Sequence, residues 1–131
     1  MLGQLDGVTT QSTKVADAIR NGEIKVSVLG DELFDRYFGS SQAMAQGNKI
    51  YLRRESEYLF SESVHEGTHV LDYLDGFGMG GSKTVWQWEK RAWFYERQYQ
   101  KASGGNVEFD NVNDMLFNIY RNYDNVPYNP Y

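Results

Sequence analysis

Apolar positions recur along this chain at two periods, and the elements follow from them. In "TTQSTKVADAIRNG" Val15, Ala18 and Ile19 form one face at helical spacing, with Thr10 or Ser12 placed to cap the start and Asn21-Gly22 to end it. "EIKVSVL" switches to strict alternation, Ile24, Val26 and Val28 against Lys25 and Ser27, which predicts a half-buried strand. "DELFDRYFG" predicts a brief helix carrying Leu33, Phe34, Tyr37 and Phe38. "QAMAQGNKIYLRR" predicts two strands about Gly47-Asn48, or one long strand bulged there. The pattern returns to helical spacing in "VHEGTHVLD" (64–72), with Ser61 as the predicted N-cap and Asp75-Gly76 as the stop. After the glycine-rich loop "GFGMGGS", a long helix is expected from about Thr84 to about Ala102, broken by Ser103-Gly104-Gly105. "DNVNDMLFNIYRNYD" is a last helix and "NVPYNPY" an extended tail. No repeat and no long linker divides the chain. The expectation is one α+β domain over residues 1–131, a short antiparallel sheet packed on the 64–72 helix and at least two others.

Composition narrows the classes. Apolar residues make up 40% and aromatic residues 15% of the 131, which suits a packed core rather than a disordered chain. The net charge of −5 supplies no basic stripe, so nucleic acid is not an expected partner. Cysteine is absent, which removes disulfides and thiolate metal sites. The first residues have no basic start followed by an apolar run, so no signal peptide is expected, and no apolar stretch is long enough to span a bilayer.

The chain's only two histidines, His65 and His69, stand four apart with Glu66 directly after the first. On a helix, positions i and i+4 share one face, so both imidazoles can reach one metal ion. The alternative is an ordinary polar helix face that happens to read H-E-x-x-H. Val64, Thr68 and Leu71 give the helix a side to bury, and Gly67 permits close approach of a neighbour. Zinc is the expected ion, one per chain, held by neutral imidazole and carboxylate and keeping a position for water; Glu66, beside the ion rather than on it, is the expected base that activates that water. Asp72 lies on the histidine face but about 10.5 Å along the axis from His65, too far to share the ion while the helix continues. It suits orienting an imidazole or holding the next helix. Glu89 is the stronger third ligand. Val85, Trp88, Glu89, Ala92, Tyr95, Glu96 and Tyr99 form one stripe, so Glu89 points inward, where an unpaired carboxylate is costly and a metal would satisfy it. Its alternative is a surface carboxylate. Glu96 is expected behind the ligands or in a structural role.

H-E-x-x-H on one helix with Glu on the next, 20 residues after His69, resembles the gluzincin arrangement of zincin metallopeptidases. The resemblance covers roughly residues 43–100. It implies that "AMAQGNKIYL" forms the edge strand beside the cleft, against which an extended substrate aligns. The wider run, "GEIKVSVLGDELFDRYFG" and "QGNKIYLRRES" before "VHEGTHVLDYLDG", resembles the small metallopeptidase domains at the C-termini of bacterial RHS-type polymorphic toxins. That implies a protein or peptide substrate, a cognate immunity or inhibitor protein as partner, and delivery into a target cell as part of a larger secreted protein. A zinc amidase acting on cell-wall peptides and a non-catalytic zinc-binding interaction domain are the rival readings. The metzincin pattern departs from this chain: Asp72 occupies its glycine position and Asp75 its last ligand position, so Asp75 stays a minor alternative, and Met79 comes too soon for a Met-turn. No third histidine remains to stabilise an oxyanion. Tyr120, Tyr123 and Tyr128 are candidates for that work, with plain aromatic packing the alternative for each.

Overall fold

A computed structural model describes residues 1–128. The chain runs α1 (Leu2–Leu5), α2 (Thr10–Arg20), β1 (Lys25–Leu29), α3 (Asp31–Phe38), β2 (Ala43–Gln46), β3 (Lys49–Arg53), α4 (Leu59–Leu74), a 3₁₀ turn (Met79–Gly81), α5 (Val85–Ser103) and α6 (Val112–Asn122). The class is α+β, as the periodicities predict. Asn129, Pro130 and Tyr131, the end of the expected tail, lie outside the described residues; the tail up to Tyr128 returns to α5, where Pro127 bridges Thr84.

The sheet is not the purely antiparallel one expected. Its order is β1-β3-β2: β2 and β3 form the antiparallel hairpin, whereas β1 pairs with β3 in parallel, Val26 opposite Ile50 and Val28 opposite Leu52. Alternation identifies a strand but carries no information about its partner's direction. The crossover through α3 and β2 decides that direction and puts β3 in the centre, with Ile50 and Leu52 fully buried. Gly47, at φ 58, makes the two-residue turn of the hairpin. Only β2 of the expected 43–52 edge lies at an edge.

The core gathers Leu5, Val15, Ala16, Ile24, Ile50, Leu52, Val64, Val70 and Tyr99, so it draws on α1, α2, the sheet, α4 and α5. The short α1 has no sequence signal of its own; Leu5 anchors it, and Tyr99 Oη donates to Gln4 O at 2.7 Å. Three caps differ in detail from expectation or sharpen it. Thr9, rather than Thr10 or Ser12, caps α2, with Ser12 completing a reciprocal capping box. Thr84 and Gln87 make the same box at α5. Ser61 does not cap α4: the helix begins two residues earlier, and Ser61 is buried inside it. Ser56 holds the entry instead, accepting from Tyr58 N–H at 3.1 Å and donating to Glu62 Oε1 at 2.5 Å.

Candidate metal centre

α4 carries the two histidines through the middle of the fold. It packs on α5, on α2 and on both strands of the hairpin, and every residue from Ser61 to Thr68 is buried. Gly67 makes this density possible. A Cβ there would stand 2.6 Å and 2.8 Å from the two methyls of Val15 on α2. On the opposite side Ala92 is fully buried and lets α5 approach. Asp72 fixes that approach: Arg91 of α5 donates from both Nε and Nη2 to its two carboxylate oxygens, each at 2.9 Å. Of the two roles expected for Asp72, holding the next helix is the one it performs.

The packing brings Glu89 onto both histidines. His65 Nε2 lies 3.2 Å from Glu89 Oε2, and His69 Nε2 lies 3.0 Å from Glu89 Oε1. One ligand atom from each residue falls within 4.8 Å of the others, and among the described residues no other group of histidines and carboxylates converges in this way. The donor set fits zinc, which takes imidazole nitrogen and carboxylate oxygen. A further sign is Glu89 Oε2. It is buried and makes no well-directed hydrogen bond, although it faces His65 Nε2. Such an oxygen lacks a partner that a cation would supply.

Support behind the two histidines is uneven. His65 Nδ1 donates to Glu96 Oε1 at 2.9 Å, and Glu96 is itself held through Oε2 by Ser61 Oγ at 3.2 Å and Gln100 Nε2 at 3.4 Å. That leaves Nε2 of His65 to face Glu89. His69 Nδ1, by contrast, is buried without a hydrogen-bond partner. Its ring rests beside Trp88, with centroids 5.7 Å apart. The glycine-rich loop presses on the same indole: Gly78, at φ 83, leaves no room for a Cβ, which would meet Trp88 Nε1 at 2.7 Å. The sequence marks this loop as a breaker; its work in the fold is to back the wall behind His69.

The carboxylates diverge in acidity. Burial alone would raise Glu89, but the two histidines outweigh burial and hold it well below the usual carboxylate range. Glu66 is pushed up, chiefly by burial, which the histidines only partly offset. Burial opposes a charged His65, yet pairing with Glu89 and Glu96 outweighs it and raises the imidazole well above its ordinary value. A metal ion would displace that proton.

A cleft of about 370 Å³ opens onto the centre. Ala43, Met44 and Ala45 of β2 line one side, and His65, Glu66, His69 and Glu89 line the other. The three tyrosines part company here. Tyr123 lines this cleft and the adjoining one, and its hydroxyl is pushed up, first by burial and then by the charges of Glu89 and Glu66. Tyr128 lines the cleft and packs edge-on against Trp88 with centroids 4.6 Å apart. Tyr120 is a packing residue on Trp86, centroids 4.5 Å apart, and lines neither cleft. Asp75 is exposed at the C-terminus of α4 and faces a separate cleft with Asp72 and Arg91, away from the histidines.

No family model, curated protein or solved structure matches this chain. No helix among the described residues is long and apolar enough to cross a membrane.

Proposed function

We propose that this protein is a zinc-dependent metallopeptidase, with His65, His69 and Glu89 as the zinc ligands and Glu66 as the general base and acid. The observation that carries this reading is the convergence of His65 Nε2 and His69 Nε2 on one buried carboxylate, at 3.2 and 3.0 Å, with Glu66 alongside in the cleft. When bound, zinc would polarise a carbonyl and bring the pKa of a water down to about 7.

The chain's own residues supply the rest. Glu96 accepts from Nδ1 of His65 at 2.9 Å and so leaves Nε2 as the atom that would hold the ion. Glu66 is buried, lines the cleft and makes no hydrogen bond among the described residues, so it is free to take a proton from water and return it to a leaving amine. Tyr123 is the tyrosine we assign to oxyanion stabilisation, because its hydroxyl faces the Glu66 and Glu89 carboxylates while Tyr120 is turned elsewhere. The outer edge of β2 is unpaired among the described residues and lies along the cleft, where an extended peptide can add as a further strand. Service as an effector domain of a larger secreted bacterial protein, with an immunity protein as partner, rests on the sequence resemblance.

The test is zinc content and peptide hydrolysis by the purified protein and by Glu66→Gln. The variant should keep one zinc per chain and the fold while losing hydrolysis, since the ligands are untouched and proton transfer is removed. A wild-type protein that retains no zinc after reconstitution and desalting would end the reading, as would undiminished hydrolysis by the variant.

A further inference from the structure

The face of His65 turned toward Glu96 borders a second cleft, again of about 370 Å³, whose Glu62, Glu108, Trp93 and Tyr58 have no part in the mechanism. Glu62, Glu66, Glu96 and Glu108 line it together with Trp93 and Tyr58. The carboxylates arrive from three segments. Glu62 and Glu66 are one turn apart on α4, Glu96 belongs to α5, and Glu108 comes from the connection to α6. Gln100 places Glu108 there: its Nε2 donates to Glu108 Oε1 at 3.3 Å, and Glu108 N–H donates back to its Oε1 at 3.2 Å.

This space is short of positive charge. No lysine or arginine lines it. Hydroxyl and amide donors serve its carboxylates, Ser56 on Glu62 and Ser61 and Gln100 on Glu96, and His65 is the one imidazole. Burial, then the neighbouring charges of Glu96 and Glu66, pushes Glu62 up to about 7 despite the Ser56 bond; burial and Glu96 push Glu108 up to about 8. A second observation points to a ligand. Glu66 is only 8% exposed, borders this cleft and has no hydrogen-bond partner among the described residues. The ligand is not a second metal ion: Glu108 and Glu96 meet each other, but among the described residues no three of these groups converge as His65, His69 and Glu89 do. A larger cation fits better: an alkyl stem can lie on the Trp93 and Tyr58 rings while its head donates charge-assisted hydrogen bonds to carboxyl oxygens on several sides.

We propose that this second cleft receives a lysine or arginine side chain of the peptide substrate, beside the bond presented to the metal centre. The proposal rests on the metallopeptidase reading, and it names the substrate class of that site: peptides basic at one position flanking the cleaved bond.

Two measurements test it, and they separate its failure from failure of the peptidase reading. The first needs no catalysis. Butylguanidinium, an arginine head on a short alkyl chain, is titrated into the intact protein while the Trp93 indole N–H resonance, assigned with Trp93→Phe, is followed by NMR. Butylguanidinium should shift that resonance at millimolar concentration, neutral butylurea should not, and Glu62→Gln/Glu108→Gln should weaken butylguanidinium by at least about tenfold. No shift, or an equal shift in the double variant, overturns the proposal. The second uses the unaltered zinc-loaded protein on a mixed peptide digest, with cleavage sites read by mass spectrometry. Lysine or arginine should dominate one fixed position. Cleavage without that bias overturns the proposal and leaves the peptidase reading standing. Butylguanidinium binding with no cleavage of any peptide sinks the peptidase reading and overturns the assignment of this cleft to a substrate side chain.

Discussion

Replacing Glu89 by alanine should produce two separable losses. Without metal, the carboxylate is 13% exposed and lies between two imidazole nitrogens at 3.0 and 3.2 Å. Breaking a fully buried ion pair costs about 3–5 kcal/mol. The two imidazoles need not stay charged without their partner, so the lower bound of the loss is that of buried ring N–H groups left unpaired, about 1–3 kcal/mol. The second loss appears only with zinc. At a free zinc concentration one hundred times its dissociation constant, the wild type gains about 2.7 kcal/mol. A tenfold weaker site at the same zinc level gains about 1.4 kcal/mol less. Urea denaturation of wild type, Glu89→Ala and Asp75→Ala, each with chelator and with buffered zinc, isolates both terms. Asp75 is exposed at the end of α4 and turned to another cleft, so its variant should show the full zinc gain. If Asp75→Ala abolishes that gain while Glu89→Ala retains it, the gluzincin-like ligand set is wrong and a metzincin-like one replaces it.

Other outcomes follow from the same contacts. Glu96→Gln should lower zinc affinity about tenfold while preserving the fold, because Glu96 orients His65 at 2.9 Å; a zinc titration checks this, and unchanged affinity would remove Glu96 from the site. Gly67→Ala should destabilise the fold. The new methyl would press within 2.6 Å of Val15, an overpacking cost of about 1–3 kcal/mol against a helix-propensity gain of about 1 kcal/mol. Val15→Ala should partly rescue it in a double-mutant cycle, and a stability equal to or above wild type in the single variant would refute the close approach of α2 and α4. Glu62 and Glu108 should make the metal-free fold less stable as pH rises. Their folded pKa values, about 7 and about 8, exceed the ordinary 4.5, so the folded state holds protons the unfolded state has lost. Stability therefore drops from about pH 4.5 up to about pH 8. Glu62→Gln and Glu108→Gln should flatten that decline in urea melts across the window; parallel curves would show that these groups are not raised.

The motif helix and the place of Glu89 beside it were legible because both are periodic. His65 and His69 share a helix face by spacing, and the stripe from Val85 to Tyr99 turns Glu89 inward. Glu96 falls two turns along the same stripe, so its place behind His65 was also within reach. What the sequence withheld depends on tertiary closure. The parallel pairing of β1 is set by a crossover, not by alternation. Ser61 reads as a cap because serine prefers that position, yet the helix starts earlier and the hydroxyl serves Glu96. The acidic cleft shows the same division. Glu62 stands three and four positions before His65 and Glu66, so helical spacing puts it on their face, yet the expected site did not include it. Glu108 had no such signal, because only its exchange of hydrogen bonds with Gln100 brings that loop back to α5.

On the proposed reading, Glu66 and Glu89 give one chemical group two roles by position. Both carboxylates are largely removed from water and both border the same cleft. Burial pushes each toward the protonated form. Glu89 lies 3.2 and 3.0 Å from two imidazole nitrogens, so its charge is matched at contact distance and stays fixed. Glu66 sits on the same helix as the histidines, feels them only through space, and among the described residues has no donor against its oxygens, so its proton is the easier one to gain and lose. A ligand must keep its charge, and a base must exchange a proton with something in the cleft. The fold separates these demands by putting Glu89 on the facing helix, where its side chain can close on both histidines, and Glu66 on their own helix, where the residue directly after His65 projects beside the pair and not between them. Swapping the two functions would require moving a helix, which is why a reading in which Glu66 ligates and Glu89 catalyses does not fit this packing.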